Sequence, residues 1–354
     1  MELKRLRQKI DRTDDKIIKL LNERAKLSRL IGQLKNKKGL SVYAPNREKE
    51  IYLKLKEHNM GPLSDKSLRA VYREIMSGSL SLEKAIKVSY LGPECTFTHL
   101  AAMEKFGSSV VYEPCKGITD VFQEVEKNRC DYGVVPIENS AEGAVNHTLD
   151  MFIDSDLKIC AEAYLEISHN LLGHTNDLKK VKVVYSNPQV FGQCRIWLET
   201  NMPRATLIDT TSTAEAAMIV AKKRNASCIA SLMAKDNYGL KLLAGGIEDS
   251  SHNVTRFLVI AKAMAAPTRK DKTSVMFSLK DKVGALHDIL VPFKNNKINL
   301  TKIESRPSKL RAWKYYFFVD LEGHIQDKVV AKTLRDLKKG CTLLKVLGSY
   351  PVCE

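Results

Sequence analysis

Several features that would set the class of this chain at once are missing from it. No apolar run is long enough to span a bilayer, and the charged start, MELKRLRQKIDRTDDKI, has no apolar core of the kind that directs secretion. The expectation is a cytoplasmic protein with no membrane partner. The eight cysteines include no Cys-x-x-Cys pair, and no histidine stands beside one at metal-ligand spacing. They read as reduced, mostly buried thiols, and neither a metal nor another cofactor is expected. No nucleic-acid motif accompanies the formal charge of +16. The first 84 residues hold 21 Lys+Arg against 11 Asp+Glu, so +10 of that excess lies at one end. Such a segment reads first as a solvated face, second as a small-anion site, and last as a nucleic-acid contact.

With 354 residues, 44% of them hydrophobic, the chain has material for two or three domains. Its centre of organisation is DYGVVPIENSAEG, residues 131–143. The apolar run 133–137 predicts a strand buried on both faces, ending where Glu138, Asn139 and Ser140 begin. Polar residues just past a strand end in an α/β sheet either face a ligand cleft or close an Asx turn.

Before it, Leu3, Leu6, Ile10, Thr13, Ile17, Leu20, Arg24, Leu27, Ile31 and Leu34 alternate spacings of three and four, which predicts one long helix with a packed stripe. A helix of that length, about 50 Å, outreaches a small domain, so a second chain is expected beside it. Arg24 interrupts the stripe with a cation. Lys35 lies about 20° round the helix from Arg24, whereas Arg7 lies about 100° away and would serve another site. Arg47-Glu48 opens a second helix after Pro45, and a third over 68–84 carries Ser79 and Glu83 one turn apart.

Residues 3–84 with these side chains resemble the all-helical chorismate mutases. The resemblance places Arg7, Arg24, Lys35, Arg47, Glu48, Ser79 and Glu83 at the family's active-site positions and implies an intertwined dimer in which Arg7 serves the other chain's site. It implies that Arg7 and Arg24 hold carboxylates, Glu48 the ring hydroxyl, and that Lys35 with Glu83 donates to the breaking ether bond. Ala44 stands where the family usually has Asp. The rearrangement needs no nucleophile, only a held conformer and stabilised charge, which suits a ring of fixed cations. The joint at residues 85–88 shares no strand, so residues 1–86 alone are expected to form an active dimer.

Beyond that joint a strand, polar turn and helix recur through LGPECTFTHL, PIENSAEGAV, VVYSNPQVFG and IDTTSTAEAA, the pattern of an α/β fold. Asn187 before Pro188, and Ser212 or Thr213, are placed to cap helices. Thr255-Arg256-Phe257 at a strand mouth offers a hydroxyl, a cation and an aromatic wall. Thr-Arg-Phe with VVPIENS resembles prephenate dehydratase over residues 86–265, implying two lobes like those of periplasmic binding proteins. The resemblance assigns prephenate to Glu138, Asn139, Ser140, Asn187, Ser212, Thr213, Arg256 and Phe257, with Thr255 donating to the leaving hydroxyl and Arg256 either on a carboxylate or locking the loop. Cys95 replaces a usual Gly, and Asn187 a common His.

Residues 263–272 read as a linker, and 273–350 follow the order β-α-β-β-α-β of a ferredoxin-like module. Gly284-Ala285-Leu286 and Glu304-Ser305-Arg306-Pro307 resemble the two motifs of an ACT domain that line a phenylalanine site between paired domains. The expected organisation is a helical mutase domain, 1–86; an α/β dehydratase domain, 87–265; and an α+β regulatory domain, 273–354. The function implied is conversion of chorismate to prephenate and then phenylpyruvate, with phenylalanine as effector and a homodimer or larger homo-oligomer as the assembly. The alternatives are a non-catalytic aromatic-ligand sensor and an arogenate dehydratase.

Overall fold

The computed structural model describes all residues except 40, 176, 251, 281, 308–314 and 354. Its N-terminal part is three helices: α1 (Glu2–Lys37), α2 (Pro45–His58) and α3 (Asp65–Glu83). At 36 residues α1 is about 54 Å long, and its stripe residues Leu3, Ile10, Ile17, Leu27 and Leu34 remain exposed. Near its C-terminal end it meets α3 at Gly32, where a Cβ would lie 2.6 Å from Glu83 Cγ. Glycine there lets Glu83 lie across the helix. Ser64 caps α3 by accepting from the Ser67 amide, whereas α2 starts at Ala44 with Pro45 next and no side-chain cap.

The middle of the chain forms two sheets. The first lobe runs β1 (Lys87–Leu91), α4 (Phe97–Phe106), β2 (Val111–Cys115), α5 (Ile118–Glu126), β3 (Tyr132–Asn139), β4 (Gly143–Ala144), α6 (Asn146–Asp154) and β5 (Lys158–Glu166). The second holds β6 (Asn170–Gly173), β7 (Val183–Ser186), α7 (Pro188–Gln193), α8 (Arg195–Asn201), β8 (Thr206–Asp209), α9 (Thr213–Val220), β9 (Ala226–Ala230), α10 (Leu232–Tyr238) and β10 (Lys241–Ala244). The chain then returns as β11 (Val254–Ala261), which fills the first sheet between β3 and β5, giving the order β2-β1-β3-β11-β5 with β4 on β3. The second sheet is ordered β10-β6-β9-β7-β8. The chain thus crosses between lobes twice, and the return sets Thr255 opposite Asn139.

The C-terminal module is β12 (Asp271–Leu279), α11 (Ala285–Asn295), β13 (Leu300–Pro307), β14 (Tyr315–Glu322), α12 (Lys328–Gly340) and β15 (Cys341–Pro351), with sheet order β13-β14-β12-β15. The first two residues of the strand expected over 313–323 lie outside the described residues. Strand alternation splits this sheet between two cores. Val275, Phe277, Val319 and Leu321 pack under α11 and α12, while Met276, Phe318, Leu347 and Tyr350 join Phe122, Leu258 and Ile260 of the first lobe. Gly348 rests directly on the Ile159 backbone of β5, where any side chain would collide.

The joint at 85–88 shares no strand, but it shares packing. Val42 and Tyr43, between α1 and α2, are buried with Ile86, Phe106 and Tyr132 of the first lobe, the Tyr43 ring 4.9 Å from Phe106 and 5.4 Å from Tyr132. A cut after residue 86 would expose this apolar contact.

Candidate active sites

A cavity of about 410 Å³ lies among the three N-terminal helices and the end of α4. Arg24 and Lys35 of α1, Arg47 and Glu48 of α2, and Ser79 and Glu83 of α3 all line it. Arg24 Nη1 donates to Ser79 Oγ at 2.6 Å. Lys35 Nζ is fixed by the Val42 carbonyl at 2.6 Å and sits 3.4 Å from Glu83 Oε2. Arg47 pairs with Glu50 at 2.7 Å, an exposed contact. Arg7 lies about 26 Å back along α1 from Arg24 and is not among the lining residues. A space rimmed by cations, with two carboxylates to orient neutral groups, suits a compact dianion.

The second site lies where the two lobes meet. Thr255 Oγ1 accepts from Asn139 Nδ2 at 2.8 Å, which leaves the threonine proton to be donated elsewhere. The Asn139 oxygen accepts from the amides of Ala141 and Glu142, so the Asx turn and the positioning of Thr255 are the work of one side chain. Asn139 also donates to Asn253 (2.8 Å), and Asn253 to Gln193 of α7 (3.0 Å), while Gln193 Nε2 donates to Glu142 (2.7 Å). His169 Nε2 meets the same Gln193 oxygen at 2.7 Å. With the Gln193 nitrogen committed to Glu142, the contact assigns the His169 proton to Nε2 and leaves Nδ1 a buried acceptor with no partner among the described residues. Burial pushes the His169 pKa below the usual histidine range, against the opposing effect of its Gln193 contact. This network bridges the lobes behind Thr255.

Other assigned residues cap helices or clasp strand ends. Asn187 caps α7 through the Gln189 amide and donates to the Thr211 carbonyl. Ser212, not Thr213, caps α9, and Thr213 is its buried first residue. Ser140 clasps the end of β3 to the start of β11, donating to the His252 carbonyl and accepting from the Val254 amide. Cys95, in the position of a usual glycine, has φ +68°, a backbone region that costs any residue with a Cβ.

Three assignments to the cleft are corrected. Strand β3 continues through Asn139, so Glu138 points to the opposite face and pairs with Lys302 of β13 at 2.9 Å. Arg256 also faces the C-terminal module: it bonds Glu162 (2.8 Å), Asp320 (2.6 Å) and the Tyr350 hydroxyl (3.0 Å), with Lys272 on the same Glu162 at 2.9 Å. It is buried and saturated there. Phe257 is 2% exposed within the first lobe's core and walls no open cleft. In the C-terminal module Gly284 (φ +78°) precedes Ala285, the first residue of α11, and Leu286 is exposed. Glu304, Ser305, Arg306 and Pro307 lie on edge strand β13, but the Arg306 guanidinium reaches Asp150 of α6 at 3.3 Å and ties the module to the first lobe.

The family patterns Chorismate mutase type II, Prephenate dehydratase and ACT domain match residues 6–84, 88–265 and 273–339. A bifunctional chorismate mutase/prephenate dehydratase of Aquifex aeolicus is 52% identical over 99% of this chain and 98% of its own length. One of Escherichia coli K12 is 30% identical over 98% and 95%. The chain belongs to the bifunctional chorismate mutase/prephenate dehydratase family. Among solved structures, the prephenate dehydratase of Arthrobacter aurescens in complex with L-Phe is similar with TM-score 0.70 and 33% identity, covering 75% of this chain and 90% of that one. In a bifunctional chorismate mutase/prephenate dehydratase the helical cavity and the interlobe cleft are two separate active-site candidates. Sequence reasoning missed Tyr43, Tyr52, Arg73 and Lys105 at the first and His169, Gln193 and Asn253 at the second. Only Asn253 carried a signal, its place two residues before Thr255.

Proposed function

We propose that the helical cavity rearranges chorismate to prephenate and that the interlobe cleft converts prephenate to phenylpyruvate, with phenylalanine acting through the C-terminal module. The observation that carries the first step is the gathering of Arg24, Lys35, Arg47, Glu48, Ser79 and Glu83 around one cavity. In this reading Arg24 holds a carboxylate, Glu48 accepts from the ring hydroxyl, and Lys35 with Glu83 donates to the ether oxygen as its bond breaks. Arg7 comes from a second copy, whose own stripe covers the exposed Leu3, Ile10 and Ile17. Fixed cations stabilise the developing charge without reorganising.

In the cleft, Thr255 hydrogen-bonds the departing hydroxyl while the ring carboxylate leaves as carbon dioxide; the electron pair of the broken C–C bond completes the aromatic ring and expels the hydroxyl as hydroxide, and aromatisation drives the step. Asn139 aims the threonine. A cytoplasmic enzyme of phenylalanine biosynthesis follows from this reading. The test is incubation of the full chain with chorismate, with and without phenylalanine, following prephenate and phenylpyruvate separately. Thr255→Ala should cut phenylpyruvate formation about 100-fold and leave prephenate formation unchanged. Equal loss of both in a folded variant overturns the assignment. Phenylalanine and a dehydratase substrate analogue should weaken each other's binding by the same factor, a coupling of about 1–3 kcal/mol, and calorimetry that finds no phenylalanine bound refutes the regulatory reading.

A further inference from the structure

The helical cavity is not built from the helical domain alone. Lys105, in the last turn of α4 in the first lobe, reaches into it and lies 3.2 Å from Glu48 Oε2. Its side chain is 18% exposed and that of Glu48 13%, so solvent screens the pair little. The Tyr43 hydroxyl donates to the same Oε2 at 2.7 Å, and burial together with the Glu48 charge pushes that phenol above its usual range, keeping it a donor. One carboxylate oxygen is thus held from two directions, by the loop before α2 and by a helix of the next domain. The other oxygen, Oε1, accepts no hydrogen bond among the described residues.

We propose that Lys105 is a positioning residue of the mutase reaction, a cation lent by the dehydratase domain that locks Glu48 with Oε1 free to receive the substrate's ring hydroxyl. The proposal rests on the mutase reading of the cavity and adds that the cavity is incomplete without α4. A carboxylate with both oxygens unpaired would swing between rotamers and present its acceptor in the reactive geometry only part of the time. Holding Oε2 removes that freedom. Lys105 also brings a positive charge close to the bound dianion, but its ammonium is directed at Glu48.

The experiment uses the full chain and reads both activities in each variant, prephenate being supplied directly for the second. Lys105→Met should lower mutase kcat/KM about tenfold while dehydratase kcat/KM stays unchanged, and Lys105→Arg should restore most of the loss. In a Glu48→Gln background the Lys105→Met change should cost less than about twofold, since the group it positions is already altered. Unchanged mutase activity in Lys105→Met, or losses that simply add with Glu48→Gln, overturns the proposal. So does an equal fall in both activities for Lys105→Met and Lys105→Gln, which would mark a purely structural tie. A wild-type chain with active dehydratase and no mutase activity would instead sink the reading of the cavity, and the role of Lys105 with it.

Discussion

The two active-site candidates are assembled in opposite ways. The helical cavity gathers charged side chains from four helices around a space they do not fill, with Arg24, Lys35 and Glu48 each fixed by one or two contacts and still able to meet a ligand. The cleft presents one aimed hydroxyl, and the charges on the same strands are turned away and neutralised in pairs beneath it. A rearrangement of a dianion asks for fixed charge, and a dehydration driven by aromatisation asks for one donor and exclusion of water. The difference also separates how each site is tied to the rest of the chain. The cavity borrows from its neighbour, whereas the cleft rests on its neighbour.

That contrast can be broken first at Arg256. Removing it leaves Asp320 buried with no cation partner among the described residues and Glu162 paired with Lys272 alone, and loss of one partner in such a cluster costs about 3–5 kcal/mol. Arg256→Met should therefore lower the unfolding free energy by that amount, seen as a lower denaturant midpoint, and reduce dehydratase output through misplacement of Thr255; an unchanged midpoint would mean the charges beneath the cleft are not what supports it. A smaller effect is expected at Glu83. A carboxyl donates a hydrogen bond only while protonated, whereas an amide donates at any ordinary pH. Glu83→Ala should lower mutase turnover about tenfold, Glu83→Gln should keep most of it, and dehydratase turnover should follow neither change. Equal mutase losses in the two variants would end the donor role of Glu83. The smallest effect is at His169 in the cleft. Burial lowers its folded-state pKa, so the unfolded chain takes up the proton first as pH falls. Stability should be complete above the ordinary histidine range and decline as pH drops through it. His99, lowered by burial as well, contributes in the same direction. Thermal melts of His169→Gln should show a shallower decline, and an unaltered slope would assign it elsewhere.

Helical periodicity made the first cavity legible, because a cation in an apolar stripe marks both a face and a site. Arg24 and Lys35 lie about 20° apart on that face and do line one cavity. Lys105 was invisible, since nothing in its own helix pattern refers to a pocket in another domain. On the strands the limit was parity. Where β3 ends decides which of Glu138 and Asn139 sees the cleft, and a strand two residues longer than its apolar run sent Glu138 to the other side. Arg256 followed the same alternation, one residue from Thr255 and on the opposite face. His169 and Gln193 carried no signal because they stand 24 residues apart in the chain and meet only in the folded lobe.

The seat of Gly348 on the Ile159 backbone has a consequence for how the chain comes apart. The connection between β11 and β12 is mostly exposed, so a protease finds a site between residues 262 and 270. Cleavage there would not free the C-terminal module, because Met276, Phe318, Leu347 and Tyr350 stay anchored in the first lobe's core. The nicked chain would run as two bands under denaturing conditions and as one species under native ones.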